Sequence, residues 1–138
     1  MAKRIPVSPG RKLAIALART CAENRCRDVI ILDLRGLSPV TDFFVLATGT
    51  SARQMTTVAD RCEEAGKELK QRPFGIEGTK VPEGAIESRW VLVDFVDVVV
   101  HVFTEDSRKY YDLELLWGDA PRVDWKRGWK QKTAEIPT

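Results

Sequence analysis

Apolar positions along this chain switch between a helical period and short unbroken runs. Leu13, Leu17 and Cys21, flanked by Ala14 and Ala18, share one helical stripe. Ser8 and Pro9 suit the start of that helix, because serine accepts an end amide and proline lacks the amide that would go unpaired. The stripe fades near Asn24. Val29 to Leu34 is a continuous apolar run, as in a strand covered on both faces, and Gly36, Ser38 and Pro39 break it. Phe43 to Ala47 is a second such run, ending at Gly49. Ser51 with Gln54 makes a capping box at the head of the clearest helix. Met55, Val58, Ala59, Cys62, Gly66 and Leu69 follow at helical spacing, Asp60, Arg61, Glu64, Lys67 and Glu68 lie opposite, and Pro73 ends it.

Phe74 to Lys80 predicts a weak strand, followed by a loop with Pro82 and Gly84. Two strong β runs, Arg89 to Asp94 and Asp97 to Thr104, flank Phe95-Val96, which predicts a tight hairpin. With Asp94 opposite Asp97, Leu92 meets Val99 and Trp90 meets His101 on one face. Val91 then meets Val100 and Val93 meets Val98 on the other, an all-valine face that calls for a helix above it. Thr104, with Glu105 and Asp106 behind it, caps a short helix whose continuation carries Tyr110, Leu113, Leu116 and Trp117 up to Gly118. This order points to an α/β sandwich with helices packed on a sheet.

A length of 138 residues allows one domain. Hydrophobic residues at 43% and charged residues at 30% give a soluble globular balance. No apolar run approaches the ~20 residues that span a bilayer, and the first residues lack the apolar stretch of a secretory signal. The charge distribution says more than its sum. Residues 1–12 carry +4 and residues 122–138 carry +3, so a net charge of +2 leaves −5 for the body between. The basic ends are the candidate polyanion contacts, with plain solvated tails as the alternative. Cys21, Cys26 and Cys62 are odd in number and form no C-x-x-C pair, which argues for a reducing compartment. The single His101 completes no familiar zinc spacing with them.

Candidate chemistry is thin. A nucleophile needs an oriented base, and the one histidine sits mid-strand beside Trp90. The turn Gly49-Thr50-Ser51 follows a strand and precedes a helix, so its amides could receive a phosphate, but no glycine-rich signature accompanies it. A capped helix start is the preferred reading. Asp94 and Asp97 form a carboxylate pair in the predicted register, with no third acid nearby to complete a metal site. Trp125 and Trp129 among Lys126, Arg127, Lys130 and Lys132 could bind RNA by charge and stacking, or could dock the tail on the body.

The run Thr41-Asp42-Phe43-Phe44-Val45-Leu46-Ala47-Thr48-Gly49-Thr50-Ser51 resembles the central signature of the ribosomal silencing factor (RsfS, or Iojap-like) family. Glu77-Gly78, Trp90 to Asp94, Asp97 to Phe103, Tyr110 to Glu114 and Leu116-Trp117 match in order. The likeness spans about residues 11–120, leaving a basic arm over 1–10 and a basic tail over 121–138. It implies a single mixed β-sheet of about five strands with flanking helices, similar to nucleotidyltransferases but without their catalytic residues. It also implies a cytoplasmic non-enzyme without cofactor or metal. Such proteins bind the fourteenth large-subunit ribosomal protein, block small-subunit joining, repress translation when nutrients are scarce, and form homodimers when free. On that reading Trp90, His101, Tyr110, Tyr111 and Trp117 dock on the ribosomal protein, Asp94 and Asp97 pair with its cations, and the basic tail touches ribosomal RNA. The alternative is a nucleotidyltransferase-like enzyme using the Gly49-Thr50-Ser51 turn. One residue departs from the family pattern: Val96 stands where members usually carry glycine, and a β-branched residue is strained at positive φ.

Overall fold

The strands are β1 (Arg27–Asp33), β2 (Phe43–Thr48), β3 (Gly75–Glu77), β4 (Trp90–Asp94) and β5 (Val98–Phe103). The helices are α1 (Pro9–Glu23), α2 (Ala52–Glu68), α3 (Glu105–Tyr111) and α4 (Leu113–Leu116). This computed structural model describes residues 8–79 and 89–130, so the expected loop with Pro82 and Gly84, Lys80, Lys132 and most of the N-terminal arm lie outside the described residues. The strands form one sheet in the order β1-β2-β5-β4-β3. Only β2 and β5 run parallel; the other pairs are antiparallel, giving the expected mixed sheet.

Helices α1 and α2 cover one face. Beneath them Val45, Val91, Val93, Val98, Val100 and Val102 are fully buried, so the all-valine face has its helical cover. Both helix starts form as the sequence suggests. Ser8 Oγ accepts from the Arg11 amide at 3.0 Å, and Ser51 Oγ from the Gln54 amide at 3.1 Å. The Gln54 carboxamide accepts from the Thr50 amide and donates to Asn24 O at 2.8 Å, tying the head of α2 to the end of α1. Helix α2 stops well before Pro73, because Lys70 takes a φ of 59°. Leu69, expected on the apolar stripe, therefore caps the helix and is exposed.

Two expectations need correction. The hairpin register is shifted by two residues: Asp94 opposes Val99, Leu92 opposes His101 and Trp90 opposes Phe103. Phe95 and Val98 close the turn (Phe95 N to Val98 O, 2.8 Å), so its two residues are Val96 and Asp97. A shift of two preserves which face each side chain occupies. It leaves Asp94 and Asp97 unpaired with each other. The second correction concerns the helix after Thr104. Asp112 adopts a φ of 41° and divides it into α3 and α4, which turns Tyr110 and Leu116 outward to solvent.

The segment after Gly118 returns to β1. The Asp33 amide donates to Pro121 O at 2.7 Å and the Val123 amide to Ile31 O at 3.1 Å. These bonds cover a strand edge that would otherwise be open to pairing with another chain.

Candidate functional site

The described residues cover the second face of the sheet only in part. Alternate residues of β2, β4 and β5 place Phe44, Trp90, Leu92, Val99, His101 and Phe103 there. Their rings form a continuous platform. Trp90 lies 4.9 Å from Phe103, His101 lies 4.5 Å from Phe44, and the His101 and Phe103 rings stack at 5.8 Å. Tyr111 of α3 covers Trp90 at 4.6 Å, and Trp117 meets Phe44 edge-on at 6.3 Å. Beyond Trp117 the cover ends and a groove of about 460 Å³ opens over Phe44, Leu92, Val99 and His101. Val40 and Phe74 stand on its rim, 80% and 82% exposed. Asp94 is its one charged lining residue among the described residues.

His101 is held as a neutral ring. Its Nδ1 accepts from Trp90 Nε1–H at 2.9 Å across the diagonal of the hairpin. An accepting Nδ1 on a neutral imidazole puts the proton on Nε2. Burial disfavours the cation and pulls the pKa down to about 4. The ring is therefore a hydrogen-bonding and packing element at neutral pH, with no charge to offer.

Of the residues singled out from the sequence, Trp90, His101, Tyr111 and Trp117 come together on this face, and Asp94 lines the groove with His101 and Trp117. Asp94 Oδ1 also accepts from the Val96 amide at 2.7 Å, bracing the turn. Asp97 lies apart: its Cβ is directed towards Gly10 at the start of α1, on the opposite side of the sheet. Tyr110 packs against Tyr111 at 5.0 Å but is 83% exposed, outside the groove. Thr41, Phe44, Val40 and Phe74 were not singled out. Phe44 shares strand parity with the site, a signal the sequence offered. Phe74 and Val40 come from segments between regular elements, where periodicity carries no information.

Comparisons with known proteins bear on the family and the fold. The sequence model of the family described as "Ribosomal silencing factor during starvation" matches residues 8–137. The chain belongs to the ribosomal silencing factor (RsfS) family. The Ribosomal silencing factor RsfS of Bacillus subtilis is 42% identical over 118 residues, covering 83% of this chain and 92% of that protein. A mouse protein named Mitochondrial assembly of ribosomal large subunit protein 1 is 31% identical over 97 residues, covering 69% of this chain and 40% of that one. A crystal structure of a Chromobacterium violaceum protein superposes with a TM-score of 0.67 at 32% identity, covering 94% of this chain and 98% of that one.

RsfS relatives carry a regulatory name, and two amides of the turn singled out for phosphate binding are engaged within the fold of this chain. At the Gly49-Thr50-Ser51 turn, the Gly49 amide donates to Phe103 O at 2.7 Å and the Thr50 amide to Gln54 Oε1 at 3.0 Å. Gly49 is there for close approach: a Cβ would collide with Met55 Cγ and lie 2.9 Å from its Sδ. Among the described residues, no group of three or more His, Cys, Asp or Glu side chains could hold a metal ion. All three cysteines are free and buried, and the Cys26 thiol pKa is pushed up by its hydrogen bond with Cys21 and by burial, away from a reactive thiolate. No helix among the described residues is long and apolar enough to cross a membrane.

The start of the C-terminal tail packs on the body in this RsfS chain. Trp125 is buried and its Nε1–H donates to Val29 O at 2.9 Å, and Trp129 Nε1–H donates to Glu23 Oε1 at 3.1 Å. Arg19 donates to the Trp125 and Arg127 carbonyls, both at 3.0 Å. Docking is thus the role the structure gives these tryptophans. Lys126, Arg127 and Lys130 remain exposed on the docked segment.

Proposed function

We propose that this chain binds the large ribosomal subunit through its fourteenth ribosomal protein and sterically blocks small-subunit joining, repressing translation when nutrients are limiting. The observation that carries this reading is the half-covered apolar face, a groove of about 460 Å³ rimmed by exposed Val40 and Phe74. Exposed apolar surface beside aromatic anchors marks a docking site in a protein of this kind. The family supplies the class of partner, and the mouse relative's name points to the large subunit. Asp94 at the groove pairs with cations of the ribosomal protein, which makes association fall with salt, while Asp97, directed to the α1 side of the sheet, stands outside this contact. Tyr110 and Tyr111 extend the contact beyond the groove. Lys126, Arg127, Lys130 and Lys132 meet phosphates of neighbouring ribosomal RNA. The free chain is a cytoplasmic homodimer, and no catalytic step is required of it.

Co-sedimentation with purified large subunits tests the surface. Trp90→Ala, Trp117→Ala and Phe74→Ala, each checked for folding by circular dichroism, are expected to weaken pelleting and to restore joining of small subunits. Full binding by the folded variants would remove this face from the mechanism. The enzymatic alternative predicts a melting shift of about 2.7 kcal/mol in stability with a nucleotide triphosphate and magnesium at 100 times its dissociation constant. The engaged amides of the Gly49 turn lead us to expect none.

A further inference from the structure

Among the described residues, three buried side-chain polar atoms lack a hydrogen-bond partner, and two of them, Thr41 Oγ1 and His101 Nε2, belong to residues lining the same groove. Thr41 is 6% exposed and His101 4%. A buried polar group without a partner costs free energy, so a native protein seldom keeps one that nothing will satisfy. The tautomer set by Trp90 makes Nε2 an N–H donor, and the threonine hydroxyl can donate as well. Two unused donors in one apolar groove call for oxygen acceptors.

We propose that the groove is a socket for a partner segment presenting an aliphatic side chain together with carbonyl-type oxygens, to which His101 Nε2–H and the Thr41 hydroxyl donate. This rests on the function proposed above, and its occupant is the large-subunit ribosomal protein named there. Phe74 and Val40 receive the aliphatic group at the rim. Charge selects the occupant. Among the described residues the lining contains one carboxylate, Asp94, and no cation, so a basic protein offering neutral oxygens fits and an anionic ligand does not. Both donor atoms are covered in the free chain, so the rim side chains part as the partner enters.

Thr41→Val is nearly isosteric and removes an unsatisfied atom, so the free variant should melt at or above the wild-type temperature. Its affinity for large subunits, read by co-sedimentation across a subunit titration, should fall about tenfold, equal to about 1.4 kcal/mol. Thr41→Ser keeps the hydroxyl and should bind as wild type. His101→Phe is made in a Trp90→Phe background, so that no indole N–H loses its acceptor. It should bind about tenfold more weakly than Trp90→Phe alone. If Phe74→Ala weakens binding while Thr41→Val and the His101 variant do not, the docking face stands and the socket is overturned. If all three bind like their parents, the docking face itself falls. If Thr41→Val alters only self-association of the free chain in analytical ultracentrifugation, the occupant is a second copy and the proposal is likewise overturned.

Discussion

Val96 offers a sharp test of how the hairpin is held. Its φ is 75°, and the Asp97 amide donates back to Phe95 O at 3.0 Å, so Val96 is the centre of a three-residue turn. Positive φ brings Cβ against the backbone carbonyl, and for a β-branched side chain the cost is about 2–3 kcal/mol. Val96→Gly removes that cost. It also loses what the covered part of the 54% exposed side chain contributes, about 0.7 kcal/mol, and adds about 0.7 kcal/mol of unfolded-state freedom. The balance is about 1 kcal/mol of added stability, a rise of about 3–5 °C in Tm for a domain of this size. Val96→Ala separates the causes, since alanine loses the same apolar surface yet keeps most of the Cβ penalty. It should be no more stable than wild type. Urea and thermal unfolding of the three proteins settle the order. If the glycine variant is no more stable than the alanine variant, the turn stores no strain and this account of the hairpin is wrong.

Trp125 is 6% exposed with its N–H on Val29 O, so Trp125→Ala should cost about 3–5 kcal/mol by denaturant unfolding, whereas a cost near zero would mean the tail does not dock in solution. Gly49→Ala, forced against Met55, should cost about 1–3 kcal/mol, and a neutral result would refute the close approach. His101 is neutral in the fold with a pKa of about 4 against 6.5 when unfolded, so the unfolded chain binds more protons between these values and stability falls as pH drops through that window. The loss is on the order of 3 kcal/mol, and the Trp90→Phe/His101→Phe variant should show a flatter profile than Trp90→Phe between pH 6.5 and 4. Replacing Lys126, Arg127 and Lys130 by alanine should reduce the steepness of log affinity against log salt by about 2–3. Groove variants should shift affinity by a similar factor at every salt concentration.

The elements were legible where local rules decide them. Ser8 and Ser51 announce their helices because capping is a contact over three residues, and the valine runs announce strands because burial demands them. The hairpin register was not legible: Phe95-Val96 looked like the loop, since a valine at positive φ goes against residue preference and a bond donated by the Val96 amide to Asp94 Oδ1 is needed to hold it. The break at Asp112 was hidden for a similar reason, because apolar spacing through Tyr110, Leu113 and Trp117 fits one helix until a single left-handed residue interrupts it. In the site, parity alone carried Trp90 and His101 to one face and survived the two-residue error. Asp97 was misplaced because a turn residue obeys no parity, and Phe74 and Thr41 reach the groove through tertiary packing that no local pattern records.

The two surfaces proposed as contacts stand at different places on one rigid sheet. The groove lies over β2, β5 and β4, and the basic segment after Pro121 is fastened along β1 by Trp125 and by main-chain bonds. Strands are about 4.8 Å apart, so β1 and β4, three steps apart in this sheet, are separated by about 15 Å. Because the platform side chains rise from paired strands and pack ring on ring, little side-chain freedom remains to be lost on docking. A partner must therefore match this layout as it stands, offering an apolar and oxygen-bearing surface to the groove and phosphate to the tail. The proposed partner, a ribosomal protein bordered by RNA, would offer both surfaces, whereas an isolated ribosomal protein would satisfy only the groove. Separation of the two contacts also explains why the modest net charge of +2 misleads: a carboxylate in the groove and cations on the docked tail act on different neighbours, and their opposite signs do not cancel at either.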